Sequence, residues 1–436
     1  MSIKGAKICF KCLKWERFDD IIQYKKAKME KSVMNYTFSK KIADLKPSAI
    51  REILKAPATA ETISFAAGNP APESFPVADM ARISADIYEN SATKALQYGA
   101  TDGYFPLREA IAKRQKVVFN IGRSVADGDR FNDETIVVSG GQQGIELACK
   151  VFCNEGDSVI CENPTFIGAL NAFRSNGANV VGVTLEDDGM NTEELESVIK
   201  STPNAKLIYV IPTFHNPCGI TTSYEKRVQI YELAKKYGLM ILEDNPYGEL
   251  RFAGEDIPTI KSMDEDGIVI YCSSFSKILS AGMRVGFVIA PEAVASKMVV
   301  SKQTSDVHTN LFFQMLCHRY MTECDIDAHI CEIRQLYRHK CSLMLERLDR
   351  EMPKSVKFTR PEGGLFIWGT LPEEIDAGEF IRKATERNVR VVPGSAFNCD
   401  VDTPSRSFRL NYSTPSDEQI TAGIRILGEV AREMGL

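Results

Sequence analysis

An α/β protein is predicted, with a large domain built on a mostly parallel seven-stranded sheet sandwiched by helices. A smaller α+β domain is expected from the C-terminal part together with the N-terminal segment. Three observations predict this. Apolar, β-branched runs alternate with helical patterns between "ETIVVSGG" and "RVGFVIAP", as in a parallel sheet buried on both faces. After the helical pattern that ends near residue 350, short strands and helices mix in a different rhythm. The chain has 436 residues, without internal repeats, which is long enough for two domains.

The elements follow in order. "SKKIADLKPSAIREILKAP" reads as a helical entry with a proline interruption, and "ETISFAAGNPAPESFP" as a strand fragment running into a Gly/Pro loop. "PVADMARISADIYEN" and "GYFPLREAIAKRQKVV" are amphipathic helices. The seven strands of the large sheet are "ETIVVSGG", "GDSVICENP", "ANVVGVTL", "AKLIYVIPT", "LMILEDNPY", "GIVIYCSSFSK" and "RVGFVIAP". Between them lie the helices "QQGIELACKVFC", "TFIGALNAFRSNG", "NTEELESVIKS" and "SYEKRVQIYELAKKYG". Asn191 and Glu194 have the spacing of a capping box. Long helices are expected near 291–320 and 324–350, then the strands "VKFTRPEGGLFIWGTL", "VRVVPGSAF" and "SFRLNYS" with helices "GEFIRKATERN" and "SDEQITAGIRILGEVAREM". The expected organisation is an extension over 1–33, an arm and part of the small domain over 34–80, a large domain over 81–320 and a small domain over 321–436.

Composition narrows the function. The chain is 44% hydrophobic and 25% charged with a formal net charge of −5, ordinary for a globular protein. That balance gives no pull toward nucleic acid or anionic membrane, and no apolar run is long enough to span a bilayer. The lysine-rich residues 1–33 carry acidic side chains that argue against a transit peptide. They read as an upstream extension before Met34 or as a short basic helix. Of 12 cysteines, most sit inside apolar patterns, which suits reduced thiols and a cytoplasmic protein. Cys9 and Cys12 have C-x-x-C spacing, but no second pair follows. The five histidines form no metal-ligand pattern, so no metal is expected.

In open α/β sheets, ligands bind beyond the carboxyl ends of the strands. The residues collected there are Gly140 to Gly144, Asn163 to Phe166, His215 to Gly219, Asp244 to Tyr247 and Ser274 to Lys277. Lys277 closes the strand "GIVIYCSSFSK", where burial costs it solvation and rotamer freedom. Alone it reads rather as a strand-end residue pointing to solvent. Ser274, Ser276 and Arg284 change that, because two hydroxyls and a guanidinium suit a phosphate. The "SGGQQG" turn adds backbone N–H groups at a helix start. A lysine able to capture an aldehyde beside a phosphate cradle suggests pyridoxal phosphate. That cofactor needs a carboxylate to keep its ring nitrogen protonated, and Asp244 ends the apolar run "LMILED". Asn216 and Tyr247 can donate to the ring hydroxyl, and Phe166 can stack on the ring. Each also has a plainer reading: a turn cap, a turn signal or a core aromatic. Arg409 in "SFRLNYS" shares a strand face with Ser407 and Asn411, opposite Phe408, Leu410 and Tyr412. It reads as a substrate-carboxylate clamp or as a surface arginine.

The ordered motifs "FAAGNPAPESFP", "LQYGATDGYFPLREAI", "VSGGQQGIEL", "ENPTFIGAL", "PTFHNPCG", "LEDNPYGELRF", "SSFSKILSAGMRVGF" and "SFRLNYS" cover residues 38–436. In them the chain resembles the fold type I pyridoxal-phosphate aminotransferases of classes I and II, in particular the 2-aminoadipate/kynurenine aminotransferase-like branch. The resemblance implies that Lys277 bonds to the cofactor and later moves the substrate proton. It implies that Asp244 pairs with the ring nitrogen and that Asn216 and Tyr247 contact the ring oxygen. Gly141, Gln142, Ser274, Ser276 and Arg284 would hold the phosphate. Arg409 would clamp the substrate carboxylate near Gly68, and Tyr98 would reach the neighbouring subunit's site in a homodimer. The implied reaction is ping-pong transfer of an amino group from an L-amino acid to a 2-oxo acid such as 2-oxoglutarate. Two positions depart from the family's usual residues: Phe166 stands where tyrosine is frequent, and Cys218 where threonine is common. The rival readings are a β-eliminating lyase on the same fold, an aminotransferase-like regulatory domain, or an inactive scaffold.

Overall fold

A computed structural model describes residues 36–43, 45, 62–400 and 402–436. The chain divides into two units, Met1–Asp44 and Leu45–Leu436. In the first, the described residues hold a four-residue helix, Lys40–Ala43. Cys9, Cys12 and most of the expected helical entry lie outside the described residues.

The second unit is built on an eight-stranded sheet. Its strands are β2 (Asp133–Val138), β3 (Ser158–Asn163), β4 (Asn179–Glu186), β5 (Gly189–Met190), β6 (Ala205–Val210), β7 (Met240–Asp244), β8 (Val269–Ser274) and β9 (Gly286–Pro291), following β1 (Ile63–Ser64) in the chain. The order is β2-β9-β8-β7-β6-β3-β4-β5. Strands β8, β7, β6, β3 and β4 pair in parallel, while β9 is antiparallel to both of its neighbours. The seven expected strands are all present, and the eighth is the two-residue β5, which turns back antiparallel on β4.

Alternation along each strand assigns its two faces. Val159, Cys161, Leu207, Tyr209, Leu242, Ile270 and Cys272 pack with Ile145, Leu147, Leu170, Phe173 and Met298. Those partners come from α3 (Gly141–Phe152), α4 (Ile167–Ser175) and α7 (Glu292–Gln303), which follow α1 (Val77–Ala95) and α2 (Phe105–Phe119). Ile160, Ile208, Val210, Ile241 and Val269 face the other way, onto Leu195, Ile199, Ile230 and Ala234. These belong to α5 (Thr192–Ser201) and α6 (Tyr224–Tyr237). Asn191 does cap α5, its side chain accepting from the Glu194 N–H at 2.8 Å. The Glu194 carboxylate instead accepts from the Thr184 N–H at 3.0 Å, so it serves the strand rather than a reciprocal box.

The helix expected across 291–320 is two helices, α7 and α8 (Leu311–Glu323). The chain leaves the helix after Gln303, Val307 adopts a left-handed conformation (φ 63°), and Asn310 caps α8 by accepting from the Phe313 N–H at 3.2 Å. The 26-residue α9 (Ile326–Glu351) follows as expected.

A second, antiparallel sheet has the order β10-β11-β14-β13, formed by Lys357–Phe358, Phe366–Thr370, Ser407–Asn411 and Val392–Pro393. β1 pairs in parallel with β12 (Val389–Arg390), which joins the N-terminal side of this unit to its C-terminal part. Helices α9, α10 (Ala377–Glu386) and α11 (Asp417–Glu433) contribute Met344, Phe380, Ile420, Ile424 and Leu427 to a core shared with Phe408 and Leu410. The stretch "VRVVPGSAF" is therefore two short strands and a 3₁₀ turn rather than one strand.

Candidate active site

A cavity of about 490 Å³ opens at the carboxyl ends of the parallel strands. Its lining includes Gly68, Gly141, Gln142, Phe166, Asn216, Asp244, Tyr247, Ser274, Ser276, Lys277, Arg284 and Arg409. Those are all the site residues expected from the sequence except Tyr98. The topology explains the gathering. β2, β3, β7 and β8 run toward this rim and release their next residues into it. Arg284 joins them because β9 runs the opposite way, pairing Gly286 with Val138 and with Ser274. Tyr98 lies away from the cavity, 80% exposed, with its ring edge-on to His308 at 5.7 Å.

Lys277 donates to the carbonyl of Gly68 at 2.7 Å. Burial and the positive charges of Arg409 and Arg284 lower its pKa to about 8, although Asp244 opposes them. Asp244 is buried, and burial together with the Glu162 carboxylate raises it to about 7; a hydrogen bond from Tyr209 and the charge of Lys277 work the other way. The Tyr209 hydroxyl donates to Asp244 Oδ2 at 2.8 Å. Beyond this pair, the buried His215 ring lies 3.1 Å from Glu162.

A polar corner of the cavity lies at the start of α3. Ser274 Oγ is 2.7 Å from Ser276 Oγ, and Arg284 Nη1 donates to Ser276 Oγ at 3.4 Å. Gly140 has φ 81°, a conformation that favours glycine, and a Cβ there would stand 2.1 Å from Arg284 Nη2 and push the guanidinium aside. The Gln142 amide donates to the Gly168 carbonyl at 2.8 Å. Its backbone N–H, in the first turn of α3, has no partner within the helix.

Arg409 is 2% exposed, which corrects the surface alternative. Every residue of β14 is buried, because both faces of this strand are covered. Its guanidinium lies between two rings, 4.2 Å from the Phe366 centroid and 5.0 Å from that of Phe397. Nη1 donates to Asn216 Oδ1 at 2.8 Å and Nη2 to the Ala66 carbonyl at 2.7 Å. Nε has no partner, an orphaned donor in a buried position. Asn216 also bonds to the Tyr247 hydroxyl, whose pKa burial raises.

Sequence reasoning missed Tyr209, Phe366, Phe397, Glu162 and the pairing role of His215. Tyr209 and Phe366 sit inside apolar strands and read as filler. The one available signal for Phe366 was the preceding Gly363-Gly364, which lets the strand approach Phe214 closely.

A family model described as "Aminotransferase class I and II" matches residues 60–427. This chain belongs to the class I and II aminotransferases. It is similar to aromatic-amino-acid aminotransferase 1 of Thermococcus litoralis, 40% identical across 94% of this chain and 97% of that protein. The 2-aminoadipate transaminase of Thermus thermophilus is 36% identical, with 91% and 96% covered. Among solved structures, the kynurenine aminotransferase of Pyrococcus horikoshii, crystallised with PMP, superimposes with a TM-score of 0.86 at 38% identity, covering 92% and 98% of the two chains. The aminotransferase is thus an enzyme of amino-acid metabolism whose cofactor is pyridoxal phosphate.

The cavity fits that cofactor. A half-buried amine with a lowered pKa faces it, a buried carboxyl in its lining favours a cationic partner, and hydroxyls with a guanidinium complete the polar wall. No helix among the described residues is long and apolar enough to cross a membrane.

Proposed function

We propose that the enzyme moves the amino group of an L-amino acid to a 2-oxo acid, with 2-oxoglutarate as acceptor, in two half-reactions at this one cavity. The observation that carries the reading is Lys277: a half-buried amine whose hydrogen bond goes to a carbonyl, with Asp244 and Arg409 in the same cavity.

Pyridoxal phosphate, when bound, supplies an electron sink for negative charge developing at the substrate α-carbon. Ser274, Ser276, Arg284 and the N–H groups of Gly141 and Gln142 hold its phosphate. Asp244, oriented by Tyr209, keeps a proton at the ring nitrogen. Asn216 and Tyr247 fix the ring oxygen, and Phe166 covers a ring face without a tyrosine's hydroxyl. Arg409 binds the substrate carboxylate beside Gly68, and the two flanking rings set the plane of its guanidinium. Lys277, with a pKa near 8, would accept the substrate's α-proton at Nζ and hold it for return. One clamp then serves amino acid and 2-oxo acid in turn, which is what a ping-pong order needs.

The enzyme acts as a homodimer in this reading. Tyr98, Leu96 and Phe105 are exposed, an arrangement suited to a contact through which Tyr98 reaches the other subunit's phosphate. Ten free cysteines among the described residues support a reducing, cytoplasmic setting.

The test is the absorbance spectrum of the purified protein against a panel of single amino acids. A yellow band that disappears with one amino acid and returns with 2-oxoglutarate supports the reading and names the donor. Release of ammonia or thiol without that return points to a lyase and overturns it.

A further inference from the structure

Behind the glycine turn lies a buried polar cluster that the chemistry above does not use. Lys302, near the end of α7, is fully buried. Its ammonium donates to Gln143 Oε1 at 2.9 Å, to Asp306 Oδ1 at 2.6 Å and to Thr309 Oγ1 at 3.1 Å. All three of its donor hydrogens therefore have an acceptor. The acceptors come from two places: Gln143 from the first turn of α3, Asp306 and Thr309 from the segment that separates α7 and α8.

The cluster closes on Ser139, the residue immediately before Gly140. The Ser139 N–H donates to Gln143 Oε1 at 2.7 Å. Its hydroxyl donates to Asp306 Oδ2 at 2.7 Å and lies 3.0 Å from Thr309 Oγ1. Its carbonyl accepts from Arg284 Nη2 at 3.3 Å. The three polar groups of Ser139 are thus all engaged, two of them by the Lys302 cluster and one by Arg284. An apolar side chain at 302 would cost less desolvation than an ammonium, so stability alone does not account for the lysine. Geometry does. The Ser139 carbonyl is itself a partner of Arg284, so a movement of Ser139 changes the spacing between the turn and the guanidinium.

We propose that Lys302 is a positioning residue for the cofactor's phosphate, holding the Ser139–Gln143 turn at its working distance from Arg284 by tying it to residues 304–310. The proposal rests on the reading that the phosphate lies on this turn. The cluster also gives a reason for the helix break after Gln303, since Thr309, seven residues beyond Lys302, would lie two turns away from it in a continuous helix.

The experiment compares two ligands on the cofactor-free protein: pyridoxal phosphate, and pyridoxal, which lacks the phosphate. Affinities are read from the absorbance change on binding. Lys302→Met is expected to weaken pyridoxal phosphate about tenfold or more and pyridoxal by less than about twofold, the scale of losing a buried charged hydrogen-bonding group. Equal weakening of both ligands, or of neither, would overturn the positioning role, because general loosening does not discriminate between them. Arg284→Met separates the two levels. If it abolishes the preference for the phosphorylated ligand while Lys302→Met preserves it, the Lys302 proposal alone fails. If Arg284→Met keeps the preference, the phosphate is not held there and both readings fall. Should Lys302→Met not fold, the isosteric Asp306→Asn carries the same expectation and is judged by the same comparison.

Discussion

Two lysines next to the large sheet, the buried Lys261 and the half-buried Lys277, differ in company. Lys261 lies between two carboxylates, 2.7 Å from Asp133 Oδ1 and 2.9 Å from Asp264 Oδ2. Lys277 has a single carbonyl and two guanidinium groups nearby, and its pKa falls to about 8. An ammonium placed between two carboxylates ties the elements that carry them together. One whose charge is opposed gives up its proton easily and becomes a nucleophile and a base. Position at the end of β8, rather than residue type, separates the two.

The contrast is open to being broken by substitution. Lys277→Ala is expected to lower turnover by a factor on the order of 10⁴ or more, with the fold intact. Steady-state rates together with a thermal melt check both parts. Lys261→Met should do the reverse. Leaving Asp133 and Asp264 buried without their cation costs about 3–5 kcal/mol of stability, seen in denaturant unfolding, while the folded fraction keeps its kcat. If Lys261→Met lost turnover without losing stability, the division between the two lysines would be wrong.

How much of this division was legible in the sequence depends on the element. The parallel strands announced themselves because both of their faces are buried, which leaves uninterrupted apolar runs such as "LMILED" and "KLIYVI". Residues just beyond those runs were therefore placed at one rim, and the cavity gathers them. Arg409 was harder. The alternation in "SFRLNYS" is the signature of a half-exposed strand, and the sequence does not show that Phe366, Phe397 and Asn216 cover its polar face. The helix break at 304–310 was hidden for a similar reason: its residues Asp306 and Thr309 meet Lys302 together with Gln143 of α3, which is remote in sequence. Lys261 has Asp264 three residues on, but its other partner, Asp133, lies more than a hundred residues upstream and is invisible to local pattern.

Smaller effects sharpen the picture. Phe366→Leu removes the closer of the two rings that flank Arg409, and a cation–π contact of about 0.5–2 kcal/mol predicts a rise in substrate KM of roughly 2- to 30-fold with a lesser change in kcat. An unchanged KM would remove Phe366 from the clamp. The smallest effect is one of pH. Attack on the cofactor's aldehyde requires a neutral amine, so its capture by the cofactor-free protein should quicken with rising pH and level off above about pH 8 instead of near the ordinary lysine value. Asp244 raises the pKa of Lys277, so Asp244→Asn should move that inflection to lower pH. A stopped-flow pH profile of both proteins reads the sign directly, and an upward shift would contradict the electrostatic account.

The central claim is that Lys277, among all the lysines of this aminotransferase, bonds to pyridoxal phosphate. Reduction of the cofactor-loaded enzyme with borohydride followed by peptide mass spectrometry tests it most directly. The account predicts a phosphopyridoxyl group on Lys277 in near-stoichiometric yield; a group found instead on another lysine, or none while the protein remains yellow, would contradict it.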